Sequence, residues 1–180
     1  MNQLLDDPVD FRRLGLEAER KSWFGAGRRL DLALQTLADP IRESGATITQ
    51  DLLPQIYGNQ IRFQRLMQNL VGNALKYVAP GVAPRIHVSA TREGDFWLFS
   101  VTDNGIGIET RNHDQIFEPF KRLHGGSQHA GSGLGLAICR KIVEGFGGAL
   151  SARSTTGAGS TFSFTAKVHG EEYDAAGSDD

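Results

Sequence analysis

Hydrophobic residues recur with a helical period in three segments of this chain. The clearest is Gln60–Val78, whose apolar positions follow the i, i+3, i+4, i+7 template of a helix with one buried face. A second helix is predicted from Leu30 to Glu43, with Pro40 expected to bend or break it. A third is predicted over Leu134–Phe146, and the glycine pair that follows would end it.

Alternation of apolar and polar residues over Arg85–Thr91, and short apolar segments bounded by turns elsewhere, predict the strands. These are Arg85–Thr91, Phe96–Asp103, Leu150–Ser154 and Thr161–Val168, with two further short strands expected within residues 46–57 around a turn at Pro54. Successive strands joined by hairpins, together with helices, are typical of the α+β class. We therefore predict a two-layer α/β sandwich in which helices cover one face of a mixed, mostly antiparallel sheet.

The remaining segments lack a regular pattern. Residues 1–29 show no readable helix or strand and are interpreted as a linker before a domain that covers residues 30–168. Residues 104–133 form a long loop that contains several glycines, and such loops in small domains are usually functional or mobile. Residues 169–180 are acidic and are expected to form a disordered tail.

Composition excludes several classes of function. The 180 residues suffice for one domain with its own core, and 19 basic against 21 acidic residues give a net charge of −2. This balance offers no electrostatic reason to expect nucleic acid or a membrane surface as a partner. No apolar run reaches the roughly 20 residues of a membrane-spanning helix. The single cysteine, Cys139, excludes a disulfide framework, is expected to be a buried structural thiol, and indicates the cytoplasm.

Three polar side chains share one face of the longest predicted helix. Asn69, Asn73 and Lys76 are four and three residues apart, so they lie next to one another beside the apolar stripe. Two amides and an amine at the edge of the core could face a charged ligand or a metal. A solvated helix face would show the same pattern.

Glycine-rich motifs follow at two further places. Asp103 ends an apolar strand and begins Asp-Asn-Gly-Ile-Gly, which is either a tight turn or a carboxylate placed to bind a ligand's donor group. Residues 131–136, Gly-Ser-Gly-Leu-Gly-Leu, open a predicted helix, where free backbone N–H groups bind phosphate. Their spacing fits neither a dinucleotide-binding fingerprint nor a P-loop.

Taken in order, these motifs resemble those of one family. Asn69-Leu-Val-Gly-Asn73-Ala-Leu-Lys76-Tyr77 matches an N box, Asp103-Asn-Gly105-Ile-Gly107-Ile108 a G1 box, Phe117-Glu-Pro119-Phe120 an F box, Gly131-Ser132-Gly133-Leu134-Gly135-Leu136 a G2 box, and Gly157-Ala-Gly159-Ser160-Thr161-Phe162 the last glycine motif. Over roughly residues 30–168 the chain resembles the catalytic, ATP-binding domain of bacterial sensor histidine kinases, which has the Bergerat fold. Within that family it looks most like the phytochrome-like and PAS-containing group.

The resemblance implies binding of ATP and Mg²⁺. Asp103 would accept a hydrogen bond from the exocyclic amine of adenine. Asn73 would coordinate Mg²⁺, and Asn69, one turn earlier, would help to hold the phosphates or a water of the metal. Lys76 and Arg122 would place positive charge near the phosphates.

The family pattern also implies the complete set of site residues. Those expected to contribute to catalysis are Asn69, Asn73, Lys76 and Arg122. Those expected to contact the nucleotide are these four together with Tyr77, Asp103, Gly105, Gly107, Ile108, Lys121, Gly131, Ser132, Gly133, Leu134, Gly135, Leu136 and Thr161, whose hydroxyl would lie near the adenine. A lid over the nucleotide would cover about residues 110–132, with Phe117 and Phe120 either anchoring it or simply packing in the core.

The implied reaction is transfer of the γ-phosphoryl group of ATP to a histidine. Gyrase- and MutL-like relatives place a water-activating glutamate where this chain has Asn69, and an amide cannot act as a base. None of the five histidines fits a His-Glu/Asp-x-x-x-Pro motif: His113-Asp114 comes nearest, but its proline, Pro119, is two residues late. The acceptor histidine is therefore expected on a dimerising helical hairpin outside this chain, of which residues 1–29 would be a linker or remnant.

Other expectations follow from the same resemblance. The isolated domain would be a monomer, and a response regulator would act downstream of the kinase. A free-standing nucleotide-binding regulatory domain without catalysis and an anti-sigma-type serine kinase of the same fold are the alternatives.

Overall fold

The computed structural model describes residues 20–108, 115–118 and 135–170. The elements in chain order are β1 (Ser22–Gly25), α1 (Ala26–Thr36), α2 (Ala38–Ser44), β2 (Thr47–Gln50), β3 (Gln55–Gly58), α3 (Gln60–Lys76), β4 (Arg85–Glu93), β5 (Phe96–Asp103), one turn of 3-10 helix (Gln115–Phe117), α4 (Gly135–Gly145), β6 (Leu150–Ser154) and β7 (Ser160–Lys167). Most of the lid predicted at about 110–132 and of the tail predicted at 169–180 lies outside the described residues.

The main sheet has five strands in the order β2-β4-β5-β7-β6. All neighbours are antiparallel except β2 and β4, which pair in parallel. The predicted mixed, mostly antiparallel sheet is confirmed. The two short strands expected around Pro54 do not pair with each other, because β3 instead forms a separate two-stranded sheet with β1.

The helices cover one face of the sheet. Along β7 every second residue is buried against them, as are Phe99 and Val101 of β5, and α3 packs against both α1 and α4. Three fully buried phenylalanines join the layers: the rings of Phe99 and Phe164 stack at 4.9 Å, and Phe63 of α3 meets them edge-on at 5.6 and 6.1 Å. The predicted α+β sandwich is confirmed by this layering.

The observed helices differ from the predicted ones most clearly within residues 30–43. The helix expected from Leu30 to Glu43 is interrupted at Leu37, not bent at Pro40. Pro40 lies in the first turn of α2, where a backbone N–H has no partner within the helix, so a proline costs little there. The side chain of Asn59 caps α3 by accepting hydrogen bonds from the N–H groups of Ile61 and Arg62 at 3.1 and 3.0 Å.

The folded domain includes residues before position 30. Ser22–Gly25 pairs with β3, and α1 begins at Ala26, so residues 22–29 pack with the domain that the sequence analysis places over residues 30–168. In the described ranges no helix is long and apolar enough to cross a membrane.

Candidate functional site

A half-buried carboxylate lies at the end of β5. Asp103 shares the helix-covered side of the sheet, and its Oδ1 accepts hydrogen bonds from the N–H groups of Gly105 at 2.8 Å and Ser160 at 3.2 Å. Burial raises the pKa of this carboxyl, against the two backbone hydrogen bonds, which lower it. Among the described residues nothing donates to Oδ2. The second carboxylate oxygen is therefore held in a fixed place, ready to accept a donor from a ligand.

The turn after Asp103 is locked between two neighbouring segments. The N–H of Ile106 donates to the carbonyl of Tyr77, which ends α3, at 2.9 Å, and its own carbonyl accepts from Gly157 at 2.7 Å. Gly107 has a φ of +78°, and a Cβ added there would lie 2.2 Å from the Thr155 carbonyl oxygen. Only glycine fits this turn without displacing the backbone beside it.

Two serine hydroxyls extend this arrangement beneath the turn. Ser154 Oγ accepts from the N–H of Ile108 at 2.7 Å, donates to the Gly159 carbonyl at 2.8 Å, and lies 2.8 Å from Ser160 Oγ. Ser160 is paired with Asp103 across β5 and β7 and is the one polar residue of the described chain classed as buried. A hydroxyl thus stands beside the carboxylate.

Thr161, whose hydroxyl is predicted to lie near the adenine, is not on the same face of the sheet as Asp103. Thr161 points to the open face of the sheet, where its Oγ1 lies 3.1 Å from that of Thr102. Ser160 is not among the residues predicted for the site. The sequence does contain a signal for Ser160. This residue lies two and four residues before the apolar Phe162 and Phe164, and alternate residues of a strand face the same side, here the core.

The amides of the N box lie on α3 beside the start of α4. Asn69 Oδ1 is 3.9 Å from the position that a Cβ on Gly135 would take, while Asn69 Nδ2 is buried. Among the described residues, the buried Nδ2 of Asn69 has no hydrogen-bond partner. Amide oxygens are ligands that suit Mg²⁺, so Asn69 and Asn73 fit the implied cation.

The other predicted residues fall into three groups. Tyr77 and Ile108 adjoin the Asp103 turn through their backbones, and Leu136 and Ile108 pack partly buried against the core. Lys76 is exposed and lines an open cavity of about 390 Å³ near the end of α3, together with Ser44, residues 78–82 and Pro84. Lys121, Arg122, Gly131, Ser132, Gly133 and Leu134 lie outside the described residues.

The described part of the F box is packed. Phe117 is buried and meets Phe162 edge-on at 6.4 Å, on the helix-covered side of β7. Its ring is thus part of the core, whereas Phe120 lies outside the described residues.

The fold and these motifs define a class of protein, an α+β sandwich ATPase domain with an N box and a G1 box. Residues 58–170 match the family model described as histidine kinase-, DNA gyrase B- and HSP90-like ATPase. The chain belongs to this family, and the resemblance inferred from its motifs is confirmed.

Two relatives are similar to nearly the whole chain. The chain is 42% identical over 172 residues to cyanobacterial phytochrome A of Nostoc sp., covering 96% of the chain and 22% of that protein. It is 33% identical over 184 residues to the aerobic respiration control sensor protein ArcB of Escherichia coli, covering 99% of the chain and 22% of ArcB. The chain therefore spans about a fifth of the length of these relatives.

Solved structures agree with the fold. Full-length ShkA in complex with AMPPNP superposes with a TM-score of 0.78 at 26% identity, covering 93% of this chain and 36% of that one. The catalytic domain of histidine kinase ThkA gives a TM-score of 0.70 at 24% identity, covering 82% of this chain and 95% of that one.

Proposed function

We propose that this chain is the ATP-binding catalytic domain of a sensor histidine kinase, which transfers the γ-phosphoryl group of ATP to a histidine on a separate helical hairpin. The observation that carries the proposal is the Asp103 carboxylate, which is half-buried, is oriented by two backbone N–H groups and has one oxygen to which no described residue donates. Similarity to sensor kinases over nearly the whole chain supports it.

Asp103 selects adenine in this proposal. Its Oδ2 accepts the exocyclic amine, and a hydrogen bond to a charged acceptor contributes roughly 1.5–3 kcal/mol. Guanine presents a carbonyl oxygen at the equivalent ring position, which a carboxylate would repel. The Ser160 hydroxyl, not that of Thr161, stands on this side of the sheet, so we assign to Ser160 the place beside the adenine.

The phosphates and the cation lie toward α4 in this proposal. Asn73 and Asn69 offer amide oxygens to Mg²⁺, which when bound offsets charge on the transferring phosphoryl group. Lys76, Lys121 and Arg122 add positive charge, and the glycine segment 131–136 supplies backbone N–H groups. Since Asn69 cannot remove a proton from water, phosphoryl transfer rather than rapid hydrolysis is expected.

The partners follow from the same proposal. They are a dimerising hairpin that carries the acceptor histidine and a response regulator downstream of it. The isolated domain is expected to be a monomer in the cytoplasm.

Calorimetric titration of Mg-ATP into the wild type and into Asp103→Asn tests the proposal. We expect binding by the wild type and a loss of affinity of about tenfold or more in the variant, one charge-assisted hydrogen bond being converted to a weaker one. Thr102→Val, altered one residue away on the open face, is the matched control and should bind like the wild type.

Absence of binding by the folded wild type would contradict the proposal. Binding without transfer to an added hairpin protein would favour a regulatory domain without catalysis. An acid-stable phosphoproduct would identify a serine kinase, since phosphohistidine is acid-labile.

A further inference from the structure

The hydroxyl of Ser154 makes three close contacts at the edge of the proposed adenine site. Ser154 ends β6, directly opposite Ser160 of β7. Its Oγ lies 2.7 Å from the nitrogen of Ile108, 2.8 Å from the carbonyl oxygen of Gly159 and 2.8 Å from Oγ of Ser160. All three distances lie in the range of hydrogen bonds. Each contact must therefore contain one hydrogen.

The direction of each of these hydrogen bonds follows from counting protons. A hydroxyl group has one hydrogen to donate and two lone pairs to accept. The Gly159 carbonyl carries no hydrogen, so the proton of Ser154 lies in that contact. The N–H of Ile108 donates to one lone pair of Ser154, and the other lone pair accepts the hydroxyl proton of Ser160. If Ser154 donated to Ser160 instead, the oxygens of Ser154 and Gly159 would lie 2.8 Å apart with no hydrogen between them.

We infer that Ser154 is a positioning residue that fixes Ser160 as a hydrogen-bond acceptor in the adenine site. With its proton directed to Ser154, the Ser160 oxygen keeps only lone pairs for a ligand. The backbone N–H of Ser160 is also committed, because it donates to Oδ1 of Asp103 at 3.2 Å. Among the described residues nothing donates to Oδ2 of Asp103, and nothing donates to the Ser160 oxygen. This edge of the site therefore presents acceptors alone.

An edge of acceptors selects a base that presents donors. The exocyclic amine of adenine carries two N–H groups, so it suits the Asp103 carboxylate and the Ser160 oxygen together. This step rests on the proposed function, because it takes adenine as the base. A Ser160 hydroxyl that rotated freely could point its proton at the amine, and the site would then favour the amine less. Ser154 thus influences specificity without touching the nucleotide.

Two measurements test the inference. The first is exchange of the Ser160 hydroxyl proton with water, followed by NMR in serine-labelled protein without nucleotide. The second is the affinity for Mg-ATP divided by that for the Mg complex of purine riboside triphosphate, which lacks the amine. Both affinities come from the same variant, so a general loss of binding cancels from this ratio. Ser154→Ala removes the acceptor, and Ser151→Ala, which removes an exposed hydroxyl on the other face of β6, is the control.

We expect the Ser160 hydroxyl proton of the wild type to exchange more slowly than that of the exposed Ser151. Ser154→Ala should abolish this protection and reduce the affinity ratio about 2- to 10-fold, the effect of one hydrogen bond. Ser151→Ala should change neither quantity. In the Ser160→Ala background, Ser154→Ala should leave the ratio unaltered, because it acts only through Ser160.

Two kinds of result would overturn the inference. One is a Ser160 hydroxyl proton that exchanges as fast as that of Ser151 in the wild type. The other is a ratio that Ser154→Ala leaves unchanged, or lowers equally in the Ser160→Ala background. Failure of the folded wild type to bind Mg-ATP would instead refute the proposed function, and the exchange rates without nucleotide would still decide the direction of the Ser160 proton.

Discussion

The two faces of the β5–β7 pair carry similar residues in different environments. On the helix-covered face, Asp103 pairs with Ser160, which is buried and lies beside a carboxylate whose pKa is raised by burial. On the open face, one residue along each strand, Thr102 pairs with Thr161, and their hydroxyls contact each other in an exposed position. A hydroxyl's role here depends on strand parity, since neighbouring residues point to opposite faces.

The two faces also differ farther along the strands, away from Asp103. Behind Asp103 the helix-covered face continues as Val101 and Phe99, both buried, whereas the open face continues as Ser100, whose hydroxyl lies 3.0 Å from that of Ser163. Apolar packing therefore supports the carboxylate from one side only. The open face contributes hydrogen bonds between hydroxyls that water can replace, and such bonds add little net stability.

The largest predicted effect concerns stability, and it compares adjacent residues of β7. Phe164→Ala removes a fully buried ring that stacks on Phe99 and should cost about 3–5 kcal/mol in free energy of unfolding. Ser163→Ala, one residue away on the open face, should change it by no more than about 0.5 kcal/mol. Urea unfolding of both variants measures the difference, and comparable losses would show that the open face is covered in the folded protein.

The second prediction uses pH to separate the charge of Asp103 from its hydrogen bonds. Because its pKa is raised above the ordinary 3.8, the carboxyl favours folding while it is protonated, and this contribution is lost as the pH rises through the folded pKa. Asp103→Asn keeps an oxygen for the two backbone N–H groups and removes the charge. We expect the variant to be more stable than the wild type at neutral pH, with the advantage shrinking as the pH falls toward about 4.

Urea unfolding between neutral pH and about pH 4 tests this, with Thr102→Val as the control on the open face. The stability difference between Thr102→Val and the wild type should not depend on pH, because no charge changes. An advantage of Asp103→Asn that stays constant over this range would mean that burial of the charge is not its cause. Desolvation of Asp103 would then not contribute to the stability difference between the variant and the wild type.

Local periodicity accounts for the part of the fold that the sequence predicts. The helical stripe over Gln60–Val78 corresponds to α3, and the strands predicted at Phe96–Asp103 and Leu150–Ser154 correspond to β5 and β6. These elements are specified by their own side chains, which show which face is buried. Asp103 was found because it ends such a strand and begins a glycine motif.

The features that the sequence did not predict depend on distant partners. The parallel pairing of β2 with β4 and the pairing of β3 with β1 join segments whose spacing along the chain gives no signal of register. The start of β7 was predicted one residue late, at Thr161, and Ser160 was left out of the site with it.

The smallest predicted effect concerns two adjacent hydroxyls of β7 that lie on opposite faces of the sheet. Ser160→Ala should weaken binding of Mg-ATP about 2- to 10-fold, the contribution of one hydrogen bond beside the Asp103 carboxylate. Thr161→Val should change it less than about twofold, because the hydroxyl it removes contacts Thr102 on the open face. Titration calorimetry measures the affinity of both variants. Urea unfolding shows whether Ser160→Ala also lowers stability, because this variant leaves the Ser154 hydroxyl without its neighbour. If Thr161→Val lost more affinity than Ser160→Ala, the nucleotide would contact the open face. The position of each hydroxyl on the helix-covered or the open face would then not explain its role in binding.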